Sequence, residues 1–546
     1  MNSLTFSFGN GAAVTGITGT IRYRLGHMGL PGYLHVLFLL LFAAIVITPL
    51  APLVLSTVML VITDPHKAIE LATPSGRILG LLGNSVVFAL TVSAAATILG
   101  ALAGTWLWYN PGGPKAYIPW VLMIFLPLPS TLYFFAWTSL FPISGWVGAW
   151  WVQVMMYLPL LSIFSFLGLS LVEQEKIEAG RIFAPELRVY RHIVLPLAAP
   201  LILAGTGFVF IFCLLDYTVP SLCSVNVYAL EIFAQYSATN NPAAACLLAL
   251  PLVIIAGAAV FFSQNNLKRA FQKISRGGKP RSNSPTLPGW FIRVQQVAIA
   301  VTLLGAVFLL VNLVGSAITG QTVGMTQAVY GDIVFSFTTA LLAGLLCLAP
   351  ALAVAKEMSG GRGWSGLWWV ITLVPLAIPA ALAGIGIISI SNTPALEPVT
   401  GGIVLPVLVN LFRFVPVAAI ILTAQLRLTD RSLLEAGEIF STGILHEWWK
   451  IRLPLFYPGI LMAAYLVFAF SLGELGGAIM VIPPGSSTLT LRLYNYLHYG
   501  ASGSVAQLSL VLAGIVLLSG IVFLLAIKAI RRYHAHQHAN IWRRDH

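Results

Sequence analysis

The chain has 546 residues, of which 58% are hydrophobic and 8% charged, and its mean hydropathy is +0.90. This composition excludes a soluble globular protein, and apolar runs of about 20 residues read as membrane-spanning helices. The net charge of +12 would suit nucleic acid, but the basic residues follow membrane topology instead, so no nucleic-acid partner is expected.

The N-terminus is polar, then basic at Arg22 and Arg24, then apolar from Leu34 to about Ile62. That run is too long for a signal-peptide core and no small-residue cleavage site follows it, so it reads as an uncleaved first span. Further spans are predicted at about 80–107, 118–141, 146–172, 197–220 and 242–264. Residues 265–290 are rich in basic residues, Gly, Pro and Ser and read as a cytoplasmic linker. A second set of spans follows at about 291–315, 333–356, 366–390, 402–427, 457–483 and 504–530. The expected fold class is an all-α integral membrane protein with twelve transmembrane helices. Its domains are a half at 1–264, the linker, and a half at 291–546.

Charge sets the orientation. With the N-terminus inside, the outside segments hold only Lys67, Arg77 and Arg492, and Arg413 falls within a span. The rest of the 29 Lys and Arg residues sort to the inside, as the positive-inside rule requires. Both termini are then cytoplasmic. Six spans per half give both halves the same orientation, so the two six-helix repeats are parallel.

The repeat is visible in two polar loops. EAGRIF…IVLPLAAP runs from Glu178 to Pro200 and EAGEIF…IRLPLFYP from Glu435 to Pro458. Glu178 and Glu435 differ by 257, while Pro196 and Pro454, Pro200 and Pro458, and Asp216 and Glu474 differ by 258. Agreement across a loop and the following span supports duplication and fusion of one unit. Each loop, near 173–196 and 428–454, offers a docking element for a soluble partner. Glu178, Ala179 and Gly180, and Glu435, Ala436 and Gly437, give small residues for close approach and a carboxylate able to cap or pair. Phe183 and Arg188, and Phe440 and Trp448, supply aromatic and basic contacts typical of interfaces. Pro196 and Pro454 are expected to break the helix before the next span.

This pattern resembles the EAA loop of permease subunits in ABC importers. That pattern runs Glu-Ala-Ala, three residues, Gly, nine residues, Ile-x-Leu-Pro. The second copy keeps the spacing through Ile451, Leu453 and Pro454, with Gly437 at the third position and Ser441 for the Gly. The first copy is one residue shorter, with Gly180 and Ala184 at those positions. SLGELGGAIMV at Ser471–Val481 resembles a stretch of permeases for molybdate, sulfate, ferric iron and thiamine, and LLDYTVPSL at Leu214–Leu222 resembles its counterpart in fused ferric-iron-type permeases. The resemblance implies a type I importer permease in the cell (inner) membrane, driven by two copies of a cytosolic ABC ATPase. ATP and Mg belong to those partners, and no cofactor is expected in this chain. A periplasmic or lipid-anchored substrate-binding protein would deliver the cargo. Ferric iron leads, with thiamine, polyamine or phosphonate-type cargo as alternatives. A proton-driven secondary transporter with parallel repeats is the rival class.

Asp216, Glu474 and Arg413 are the ionisable residues placed within spans. Burying charge there costs about 2.5–3.5 kcal/mol on insertion scales. The two carboxylates are expected either to line the pathway near an outer gate, with Arg413 neutralising one of them or meeting an anionic substrate, or to form an internal ion pair or helix cap. They are too few for a metal site. Cys213, Cys223, Cys246 and Cys347 show no CxxC or zinc spacing and are expected in apolar packing. His534, His536 and His538 are expected in a mobile cytosolic tail. No GxxxxGK[ST] occurs, and RGGKPRS in the linker has the wrong spacing, so the chain is not expected to be an enzyme and ATP hydrolysis must come from another chain.

Overall fold

The computed structural model describes residues 30–272, 287–319, 327–360, 364–391, 402–499 and 502–542. Among them every regular element is a helix. Among the described residues ten helices are long and apolar enough to cross a membrane, and two bent helix pairs bring the crossings to twelve if each pair counts as one. Helices that are apolar on every face satisfy their own backbone groups and need no water, which is what a bilayer requires.

The first half contains α1 (Leu30–Thr63), α2 (Pro65–Ala72), α3 (Gly76–Tyr109), α4 (Ile118–Phe125) and α5 (Ser130–Thr138). It continues through α6 (Gly145–Ser170), α7 (Gln174–Phe183), α8 (Glu186–Val189), a π turn at Tyr190–Val194, α9 (Leu195–Leu215), α10 (Thr218–Leu222), α11 (Tyr228–Thr239) and α12 (Pro242–Gln272). The second half repeats this order as α13 (Gly289–Thr319), α14 (Gln327–Leu346) with α15 (Leu348–Ser359), α16 (Ser365–Ala377) and α17 (Ala380–Ser391). Then come α18 (Val404–Leu428), α19 (Arg431–Phe440), α20 (Ile444–Glu447), a π turn at Trp448–Arg452, α21 (Leu453–Leu472), α22 (Ala478–Val481), α23 (Leu489–His498) and α24 (Ser502–Trp542).

Several expectations change. The spans placed at 118–141 and 366–390 are broken: α4 and α5 meet at 101°, and α16 and α17 at 95°. Proline explains the breaks. Pro127 and Pro129 interrupt one span and Pro379 the other, each removing a backbone donor and biasing the preceding residue away from helix. The spans placed at 197–220 and 457–483 stop at Leu215 and Leu472, before short separate helices. The linker expected from residue 265 begins later, since α12 continues to Gln272, and residues 273–286 lie outside the described residues. Arg22 and Arg24 lie outside them too. Positions 534, 536 and 538 fall on the backbone of α24, which replaces the expected tail with helix, while their side chains are outside the described residues.

Pro196 and Pro454 do not end a helix. Helix runs unbroken over Glu186–Leu215 and Trp448–Leu472. In each π turn the ladder widens, with the Leu195 N–H donating to the Tyr190 carbonyl and the Leu453 N–H to the Trp448 carbonyl, five residues back. The widened turn carries the chain past a residue that cannot donate.

The halves embrace. α1 packs on α12 and on α15, α17 and α18 of the second half, and α13 packs on α3, α5 and α6 of the first half and on α24. At the α1–α17 crossing a Cβ at Gly386 would lie 1.8 Å from the Pro49 carbonyl oxygen, so only glycine permits this approach. Much of α1, including Leu37, Leu40, Ile47, Leu55 and Ile62, is left exposed for lipid.

Candidate functional site

Two structures stand at opposite ends of the bundle: the paired loops and a cavity floor of buried charge. Each loop is a short helix folded back on its own π turn. In the first, Gly180 meets the turn, where an added Cβ would lie 2.5 Å from Ile193 Cδ1 and 3.2 Å from Val189 Cγ1. In the second, a Cβ on Gly437 would lie 3.0 and 3.1 Å from Ile451 Cγ2 and Cδ1. Gly180 and Gly437 are equivalent, as are Ile193 and Ile451, so glycine at this position of both loops fits a close approach of the helix to its own π turn.

Folding back presents the end of each helix outward. Ile182 and Phe183 are 78% and 85% exposed, and Ile439 and Phe440 are 75% and 82% exposed. Glu178, Ala179, Arg188 and Pro196 are also exposed, as is Glu435, while Ala436, Trp448 and Pro454 are half-buried. The Glu178 carboxylate accepts from Gln174 Nε2 at 2.9 Å, a neighbour on its own helix rather than a basic group.

The first loop is fixed to the spans by buried contacts. Glu186 accepts from Arg181 Nε at 2.8 Å, from Arg181 Nη2 at 3.1 Å and from the Tyr109 hydroxyl at 2.9 Å. Those bonds raise the Arg181 pKa above its ordinary value, against burial, which lowers it. Tyr190 joins Thr105 of α3 by a 2.8 Å hydroxyl pair and rests against Phe291 of α13. The second loop is held differently. Arg452 Nε contacts Glu447 at 2.5 Å, and Arg427, at its root, donates to the Met358 carbonyl, which also accepts from Ser365 and Trp369.

Between the halves lies a cavity of about 610 Å³, lined mainly by apolar side chains of α6, α9, α18 and α21. Toward the loops its walls include Phe271, Gln425, Leu428 and Arg531. Its other end is bounded by the two helix breaks, at Pro129 and Ile378, together with Asp216, Arg413 and Glu474.

All three ionisable residues singled out in the sequence therefore border one cavity, and two also serve as caps. Asp216 ends α9, and its Oδ1 accepts from the Thr218 N–H at 2.9 Å. Its Oδ2 accepts from Gln153 Nε2 at 2.9 Å. Glu474 follows α21, and its Oε1 accepts from the Gly477 N–H at 2.8 Å. Arg413 Nε lies 2.8 Å from Glu474 Oε2, an ion pair whose N–H is not directed at the oxygen as a hydrogen bond. Glycines let the breaks close on these caps: a Cβ on Gly473 would meet Pro129 Cγ at 2.9 Å, and one on Gly476 would meet Ala380 Cβ at 2.8 Å.

The pseudo-twofold is imperfect here. Pro159 and Pro416 align α6 with α18 at a difference of 257, which equates Gln153 with Asn410 and Met156 with Arg413. The first half steadies its carboxylate with a neutral amide, and the second with a guanidinium one turn further along. Gln153 escaped notice because it carries no charge, although a lone amide in an apolar run, with Asn410 at the matching place, is a readable signal.

Asp332 was also missed, at the edge of a span. It is buried and pairs with Arg492, tying α14 to α23. In the first half Arg77 of α3 pairs with Glu231 of α11, with the charges exchanged. Buried serines reinforce both links, Ser85 accepting from the Tyr228 N–H at 2.9 Å and Ser336 from the Leu489 N–H at 2.7 Å. All four cysteines are free thiols. Among the described residues no group of three or more His, Cys, Asp or Glu is placed to hold a metal ion.

Sequence comparisons agree with a membrane transport role. No family model matches the chain. It is 29% identical over 199 residues to a Salmonella paratyphi A protein named "Putative 2-aminoethylphosphonate transport system permease protein", covering 35% of this chain and 71% of the relative. It is 25% identical over 201 residues to the putrescine transport system permease protein of Escherichia coli, covering 36% of this chain and 71% of the relative. It is 21% identical over 468 residues to an Fe(3+)-transport system permease protein of Haemophilus influenzae, covering 82% of this chain and 90% of the relative. The chain is thus a multi-pass, all-α membrane protein similar to permease proteins of transport systems.

Proposed function

We propose that the chain is a membrane permease of an ATP-driven, binding-protein-dependent importer, with two halves fused. The observation that carries this is the pair of equivalent exposed Ile-Phe tips on loops anchored among the spans. Large apolar side chains held in water on a rigid support are costly unless a partner covers them. Two such tips related by a pseudo-twofold suit two copies of one partner, a cytosolic ATPase. Closure of those subunits on ATP and Mg would draw the loops together and move the spans to which they are clamped.

The relatives support the class and differ in cargo. Two match this chain over little more than a third of its length, and one over most of it, as two fused units would. The cavity suits an organic solute, or iron carried as a chelate, better than a bare ferric ion, because its walls are mainly apolar and its carboxylates already accept protein hydrogen bonds. A substrate-binding protein on the face away from the loops would supply the cargo, and the charged floor would serve as the outer gate.

Co-purification tests the reading. The wild-type chain, expressed with the ATPase of its transport system, should retain it. Phe183→Ser with Phe440→Ser should lose it while the chain stays monodisperse, and Glu178→Ala with Glu435→Ala should weaken it. Equal retention by every variant would contradict docking at these loops.

A further inference from the structure

Arg413 makes an ion pair but no hydrogen bond among the described residues. Its Nε is buried without a hydrogen-bonded acceptor, and only the 2.8 Å approach to Glu474 and a place 5.8 Å above the Phe414 ring engage the guanidinium. A guanidinium carries five N–H donors in a rigid fork, and leaving them idle inside a membrane is expensive. The fork borders the cavity.

Two buried hydroxyls on the same walls are also unused. Tyr217 is 5% exposed and Thr131 1% exposed, and neither Tyr217 OH nor Thr131 Oγ1 has a partner. The nearby carboxylate oxygens, by contrast, are engaged. Both Asp216 oxygens and Glu474 Oε1 accept hydrogen bonds, and Glu474 Oε2 faces Arg413. The Arg413 fork and these two hydroxyls are thus donors without a protein acceptor at this end of the cavity, and donors of this kind are what a carboxylate or phosphonate takes.

We infer that Arg413, Tyr217 and Thr131 form an oxyanion-binding site for an organic cargo in transit. This rests on the transport reading above. Two carboxyl groups stand beside the one guanidinium here, so a cargo that also bears an amine is favoured over a bare dianion. The mainly apolar walls accommodate its carbon chain.

Three probes with one carbon skeleton separate the possibilities: 3-aminopropylphosphonate, propylphosphonate and 1,3-diaminopropane. Isothermal titration of the purified full chain should show saturable binding of the first, weaker binding of the second and none of the third. Tyr217→Phe removes one hydroxyl and should weaken aminopropylphosphonate about fivefold, the usual worth of a hydrogen bond. Arg413→Met with Glu474→Gln copies the apolar Met156 of the first half, leaves no unpaired carboxylate, and should abolish binding. Absence of saturable phosphonate binding, tighter binding of the diamine, or undiminished binding in the double variant would overturn the site. If phosphonates fail to bind while the ATPase still co-purifies, the site falls and the transport reading stands. Intact binding without ATPase association does the reverse.

Discussion

Arg413 Nε stands 2.8 Å from Glu474 Oε2 at the floor of the central cavity, across α18 and the end of α21. The equivalent place in the first half holds Met156, and there Asp216 leans on Gln153 instead. Only one side of the floor is thus locked by an ion pair. Arg413→Met alone should strand the 7%-exposed Glu474 and cost about 3–5 kcal/mol. Adding Glu474→Gln should recover most of that loss. Thermal unfolding in detergent of wild type, both single variants and the double variant measures the coupling, and additive losses would show that the pair is not a lock.

Gly180 is held by space rather than by backbone angle. Gly180→Val should press on Ile193 and Val189 and cost about 1–3 kcal/mol. The second change Ile193→Ala should restore the loop. Protease cleavage after Arg181 or Arg188 reports loop opening, and faster cleavage in Gly180→Val, reversed in the double variant, is the expected pattern.

Gly386 offers no such rescue. The atom facing it is the Pro49 backbone oxygen, which no rotamer change can move. Gly386→Ala should separate α1 from α17 and lower the yield of folded chain, whereas Gly366→Ala, with nothing within 4 Å, should be silent. Size-exclusion profiles of the two variants check the contrast.

The charge-exchanged pairs Arg77–Glu231 and Asp332–Arg492 do one job in two halves. They differ in burial, since Arg77 is mostly exposed and Asp332 is buried. Arg77→Gln should cost less than about 1 kcal/mol, and Arg492→Gln about 3–5 kcal/mol, because it leaves Asp332 unpaired. Thermal stability of the two variants at one ionic strength reads the difference.

The all-α membrane fold, its long apolar helices and the recurrence of the two loops were legible because hydrophobic length and the LPL punctuation are one-dimensional signals. The breaks at Pro129 and Pro379 were not separated from ordinary in-span prolines such as Pro159 and Pro416, which sit inside continuous helices. A proline states that a donor is missing but not whether packing absorbs the loss. The same ambiguity hid the π turns, which carry the helix past Pro196 and Pro454. Asp216, Glu474 and Arg413 were found by their charge, while their arrangement depends on Gln153, Thr218 and Gly477, which are ordinary in sequence and take these places only in the folded bundle. Asp332 fell at a span boundary, where a carboxylate looks like a solvated residue until Arg492 is brought against it.

In ATP-driven transport the two loops receive force from outside the chain. The most direct measurement is cargo uptake into proteoliposomes holding the purified chain, its ATPase and a binding protein, with and without ATP. Uptake should require ATP and the ATPase, and should fail with Phe183→Ser and Phe440→Ser. Uptake by the chain alone on an ion gradient, unaffected by those substitutions, would contradict it.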